Sequence, residues 1–201
     1  MSLTLIIIIS SVLVSLAAIR NKGLFDQLKF HPWTIKRERN IHRFLSYGFI
    51  HADFMHLFVN MYVLYVFGEN VEDAFTYLYG KNAVPLFVAL YFGGLIMSTV
   101  YSYFKHKDNV MYSAVGASGA VSAVVFASIV FFPTAKLMIF PLPFQIPAWI
   151  FGGLYLVYSF IMARRGKGNI GHDAHFFGAI YGIAFIAIVD FNFILRMIDL
   201  L

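Results

Sequence analysis

The chain has 201 residues, 60% of them hydrophobic, with 23 Phe, 12 Tyr and only 12% charged. A soluble domain carries about twice that charge, so an ordinary water-soluble globule is excluded. With no cysteine there are no disulfides, thiolate metal sites or thiol catalysis. The net charge of +5 comes without a basic, aromatic-interleaved face outside the loops, which suits lipid headgroups and not nucleic acid.

A membrane-spanning helix needs about 20 mostly apolar residues. The first such run, Leu3 to Ile19, lacks a charged segment before it and a small-residue cleavage site after it, so it reads as a helix and not a signal peptide. Arg20 to Arg43 follows, with Lys22, Lys29, Lys36, Arg37 and Arg39 among Phe25, Leu28, Phe30, Pro32 and Trp33. It reads either as a basic surface loop or as a half-buried interfacial loop anchored by Trp33, since Trp favours the headgroup layer. The second span, about Ala52 to Phe75, is amphipathic and holds His56 and Asn60. Ala83 to Phe104 and Val115 to Phe132 are the third and fourth. Between Phe132 and Pro147, four prolines (Pro133, Pro141, Pro143, Pro147) forbid a continuous helix and predict an extended apolar turn. Ala148 to Ala163 and Ala174 to Ile194 complete the set. The expectation is an all-α polytopic membrane protein: one six-helix domain over residues 1–201, without internal repeats.

Polar side chains inside such spans are costly, so each is a functional hypothesis by default. His56 and Asn60, four apart, share a helix face. The fourth span opens with Gly116, Ala117, Ser118 and Gly119, then Ser122. The sixth begins with His172, Asp173 and His175, with Gly178 and Gly182 on the His175 stripe. Each has a plain structural explanation. A membrane serine such as Ser122 is usually packing glue or back-bonded, a glycine stripe can serve close packing alone, and His56 with Asn60 can be a hydrogen-bonded pair. His51, His56, His172 and His175 invite a metal, but no carboxylate or third histidine at i,i+4 spacing completes a ligand set, so none is expected.

Taken together, the pieces point to chemistry. Ser118 lies in a first helical turn, where free backbone N–H groups and the positive dipole end favour a forming oxyanion. Gly116 and Gly119 strip bulk from both sides of it. The Gly178 and Gly182 face lets the sixth helix approach another backbone closely. If that partner is the Ala120, Ala123 and Ala127 side of the fourth helix, His175 can reach the Ser118 hydroxyl as a general base beside a nucleophile. His56 and Asn60 would supply side-chain donors of an oxyanion hole. Asp173, two residues from His175, faces away from it on a helix and reads as a helix-start residue.

The residues "GASG" at 116–119, "AHFFG" at 174–178 and "HADFMHLFVN" at 51–60, in that helical order, resemble the rhomboid family of intramembrane serine proteases, in its bacterial six-helix type. The resemblance covers about residues 41–190, within a rhomboid-like core of about 41–195. It implies hydrolysis of peptide bonds in transmembrane protein substrates inside the lipid bilayer, without cofactor, by an integral protein of the bacterial inner membrane. Ser118 resembles the nucleophile and His175 the base. His56, Asn60 and the Ser118 backbone N–H resemble the oxyanion stabilisers. Gly68 and Glu72 resemble a structural Gly-x-x-x-Glu feature. The alternative is a rhomboid-like pseudoprotease that binds membrane proteins without cutting them, against which stands the presence of both Ser118 and His175. Two departures stand out: His42 and Arg43 replace a Trp-Arg pair common in the first loop of bacterial members, and Ser122 replaces an aromatic that often stacks on the histidine. The loops after the first, third and fifth spans carry 12 of the 15 Lys and Arg. The positive-inside rule would make those loops cytoplasmic, whereas the resemblance implies the opposite orientation, and the expectation follows the resemblance.

Overall fold

A computed structural model of the chain describes residues 1–138, 144–165 and 171–200. In chain order the helices are α1 (Leu3–Arg20), α2 (Lys22–Leu28), α3 (Pro32–Glu38), α4 (Arg43–Ser46), α5 (Phe54–Tyr79), α6 (Ala83–His106) and α7 (Ser118–Phe131). Two short strands, β1 (Lys136–Met138) and β2 (Gln145–Pro147), precede α8 (Ala148–Arg165), α9 (His172–Val189) and α10 (Asn192–Asp199). Leu3–Arg20, the Phe54–His106 stretch holding α5 and α6, and His172–Val189 are each long and apolar enough to cross a membrane, and α7 is apolar but shorter. The architecture is the expected all-α polytopic bundle.

Local chemistry sets the boundaries. The Asp53 carboxylate accepts from the His56 amide at 2.7 Å and starts α5, which runs four residues beyond the expected Phe75 until Gly80 adopts φ 51°. The fourth helix begins at Ser118, not Val115, because Gly116 holds φ 107°, outside the helical region and suited to glycine. The sixth ends at Val189, short of the expected Ile194. Asp190 turns extended (φ −157°), and its carboxylate accepts from the backbone and side chain of Asn192, so α10 starts as a separate helix.

The basic first loop is built of short helices. Asn21 caps α2 and His31 caps α3, with Pro32 at the first helical position, where its missing N–H costs nothing. Trp33 is half-buried, with the Arg37 guanidinium 4.9 Å from its ring centroid. Lys29 donates to Asp26 at 2.7 Å, and that bond and charge hold the Asp26 carboxyl below its ordinary range. Phe30 pairs by backbone with Ala114, tying this loop to the one after α6. Among its described residues the proline connector is not helical. Its ends form an antiparallel β1–β2 pair with Leu137 opposite Ile146, while Pro141 and Pro143 lie outside the described residues.

The long helices pack around α7, whose residues Gly119 to Val130 are all buried. It contacts α5, α6, α8, α9 and α10. Near its end Phe131 meets Phe75 of α5 and Phe193 of α10, with ring centroids 5.6 and 4.9 Å away. At that same end of the bundle, Glu72 accepts from the Leu3 and Thr4 amides at 2.8 and 2.7 Å, satisfying two donors that the first turn of α1 leaves open. Thr4 also lies against Gly68, where a Cβ would come within 2.7 Å of its hydroxyl.

Candidate active site

Ser118 sits at the end of the bundle opposite Phe131, on a turn held from behind. The Gly116 amide donates to the Tyr47 carbonyl at 2.9 Å, and the Ala117 amide donates to His51 Nε2 at 3.4 Å. His51 is fully buried, and its Nδ1 lies 3.0 Å from Ser15 Oγ, which itself donates to the Phe49 carbonyl at 2.9 Å. An acceptor at Nε2 puts the ring proton on Nδ1, so one chain of hydrogen bonds runs from Ala117 through His51 and Ser15 to Phe49. Helix α7 has no side-chain cap, which leaves its first amides open around the half-buried Ser118.

The second layer is α9, parallel to α7. A Cβ on Gly178 would overlap the Gly119 carbonyl, and one on Gly182 would overlap the Ala123 carbonyl. The close partner is thus α7, met at Gly119 and Ala123. A Cβ on Gly119 would stand 3.4 Å from the Ala174 carbonyl oxygen. Ala174 immediately precedes His175, so His175 lies level with Ser118 across this glycine contact. Side chains here make other hydrogen bonds: Ser122 with Tyr155 at 2.9 Å, Ser102 to Asp173 at 2.7 Å. None joins Ser118 to His175 among the described residues; such bonds are often long before substrate binds.

His56 closes a third side. Its ring rests on Gly116, where a Cβ would be 2.6 Å from Cε1, and lies edge-on to His51 at 5.1 Å between centroids. The Asn60 side-chain amide donates to the His56 carbonyl at 2.9 Å, and its second N–H has no partner among the described residues. Ser118, His175, His56, Asn60, Gly116, Gly119 and Gly178 therefore gather at one end of the bundle. Gly182 packs one turn deeper, and Gly68 and Glu72 stand apart beside α1. Asp173 accepts from the Ala174 amide at 2.9 Å and from Ser102 of α6, so it ties α9 to α6, while Gly171 occupies the cap position. In the loop above, Tyr112 stacks on His106 at 3.8 Å; burial first, then the Asp173 charge, pushes its hydroxyl up to about 12, so it stays neutral.

Sequence reasoning missed three residues. His51 stood out only as a possible ligand, and Tyr47 not at all. Tyr155 stacks on His175 at 6.3 Å and 21° between ring planes. It comes from α8, and no spacing within one span announces a contact between two.

Fold and site together define a polytopic membrane protein with a glycine-flanked serine at a helix start and a histidine level with it on the neighbouring helix. A Rhomboid domain family model matches residues 38–190. The chain belongs to the rhomboid family. It is 32% identical over 150 residues to Presenilin-associated rhomboid-like protein A, mitochondrial, of Danio rerio, which covers 69% of this chain and 35% of that protein. It is 28% identical to RHOMBOID-like protein 12, mitochondrial, of Arabidopsis thaliana, covering 69% and 44%. With Rhomboid protein 1, mitochondrial, of Saccharomyces cerevisiae the identity is 27%, covering 69% and 39%. The chain thus spans less than half the length of these curated relatives. Their names are mitochondrial and lend no support to the expected bacterial inner membrane; the integral membrane character stands.

Proposed function

We propose that this chain is an intramembrane serine protease that cuts peptide bonds in or near transmembrane segments of other proteins. The observation that supports this best is the parallel α7–α9 contact, in which Gly119 meets Ala174 and Gly178 and sets Ser118 level with His175. In this reading Ser118 Oγ attacks the scissile carbonyl carbon as His175 takes the hydroxyl proton. The carbonyl oxygen becomes an oxyanion, met by the Ser118 backbone N–H, the His56 ring and the second N–H of Asn60. Collapse breaks the C–N bond, and the leaving amine takes the proton from His175. Water then attacks the acyl-enzyme, giving its proton to His175, and the serine is restored. No step calls for a cofactor. The lipid bilayer is the medium and transmembrane proteins are the substrates.

The test is incubation of purified protein with a single-span membrane substrate, beside Ser118→Ala. Fragments with the wild type and none with Ser118→Ala are expected. A wild type that binds the substrate but leaves it whole would favour a binding protein instead.

A further inference from the structure

A general base works only if its ring is held in the right plane, and Ser122 occupies the place where an aromatic often stacks on the family's histidine. We infer that Tyr155 of α8, anchored by Ser122, is the positioning residue that holds the His175 ring; this deepens the protease reading and rests on it. The Tyr155 ring lies nearly parallel to the imidazole, 21° between planes and 6.3 Å between centroids, within the range of offset aromatic pairs. Tyr155 is itself clamped. Its hydroxyl is 2.9 Å from Ser122 Oγ, and the rings of Phe126 and Phe151 lie 5.7 and 5.8 Å away. Ser122 is 5% exposed and lies one turn after Ser118 on α7. The helix that carries the nucleophile therefore also fixes the support of the base. A plain packing role for Ser122 would leave Tyr155 indifferent to His175, but the same ring that Ser122 anchors is the one stacked on the imidazole.

His172 approaches His175 as well, but edge-on at 78° and 6.0 Å, and it is turned against Tyr158 at 5.5 Å. It bounds the histidine without lying parallel to it. Tyr155 alone, among the described residues, gives a near-parallel aromatic face.

The experiment measures kcat and KM with a single-span substrate for wild type, Tyr155→Phe, Tyr155→Leu, Ser122→Ala and the Ser122→Ala/Tyr155→Phe double variant, each checked for thermal unfolding. Losing the ring should misplace the base and lower kcat about 10²-fold with KM nearly unchanged. Tyr155→Phe keeps the ring, so it should rescue most of that loss. Tyr155→Phe and Ser122→Ala should each cost about 2- to 10-fold, the size of one neutral hydrogen bond. The double variant should be no worse than its weaker parent, because both remove the same bond. A Tyr155→Leu protein that turns over like wild type, or loses only in KM, overturns the inference, as do additive losses in the double variant. Should Tyr155→Leu not accumulate, the non-additivity of the other two decides alone. Ser118→Ala and His175→Asn run alongside: if either cleaves normally, or the wild type does not cleave, the protease reading itself fails. If both are inactive and Tyr155 is indifferent, only the inference fails.

Discussion

Asp173 stands two residues before His175, and in soluble serine hydrolases an aspartate holds the histidine. Here its carboxylate is engaged elsewhere, by the Ser102 hydroxyl of α6 and the Ala174 amide. Residues two apart on a helix also point about 200° away from each other. The proposed chemistry therefore rests on Ser118 and His175 alone. Asparagine can keep both contacts, accepting from the amide and donating to the serine, so Asp173→Asn should retain most turnover. His175→Asn should lose nearly all of it. In a true triad the Asp-to-Asn change costs about 10⁴ in kcat, and a loss of that size in folded Asp173→Asn protein would contradict the dyad.

At the scale of elements, the decisive contact is α7 against α9. Gly178 and Gly182 leave no room for a Cβ beside the Gly119 and Ala123 carbonyls, whereas Gly153 on α8 has nothing within 4 Å of where one would go. Gly178→Ala should push α9 away from α7 and destabilise the fold by about 1–3 kcal/mol, as overpacking does. It should also remove most turnover, because His175 rides on the same helix. Gly153→Ala should hold or raise the unfolding temperature, since glycine costs about 0.5–1 kcal/mol in a helix interior. Thermal unfolding and turnover of the two variants check this, and equal behaviour would count against it.

Elements also show what could be read from the chain and what could not. The six apolar runs were legible as helices because a bilayer demands long apolar stretches, although α7, at 14 residues, is shorter than that length. So was the close approach of the sixth span to some other backbone, because bare glycine stripes announce it, while its partner is only a supposition without Gly178 and Gly182 lying against Gly119 and Ala123. The helix ends were not: Val115 gave way to Ser118 because one glycine takes a positive φ, and Ile194 to Val189 because one carboxylate binds the chain behind it. The short helices of the basic loop depend on caps at Asn21 and His31 that a membrane-length pattern overlooks. Within the site, Ser118, His175, His56 and Asn60 carried local signals. The His51 bond to the Ala117 amide and the Tyr155 stack join distant segments, and no period along the chain encodes them.

For the molecule as a whole the question is sidedness. The first turn of α1 is bound to Glu72 near one end of the bundle, and α10 packs beside Phe131 at that same end. The Ser118 turn, the basic first loop and the loop after α6 share the other end, joined by the Phe30–Ala114 pairing and the Lys36–Asp108 ion pair. The first turn of α1 and α10 therefore lie on one side, with most of the positive charge on the opposite one. In a bacterial host, a topology reporter fused after Leu201 should report a cytoplasmic C-terminus, and one before Met1 the same side. An external C-terminus would mean that the Lys and Arg bias decides the insertion, with the site opening inward.

Whether Ser118 is the nucleophile can be tested with a fluorophosphonate probe, without any need to know the substrate. Ser118 is half-buried at an uncapped helix start, while Ser122 is 5% exposed and bonded to Tyr155. Mass spectrometry of the labelled protein should find the adduct on Ser118 and not on Ser122, and none on the His175→Asn variant. An adduct on Ser122, or none on either serine in protein that cleaves substrate, would contradict the account.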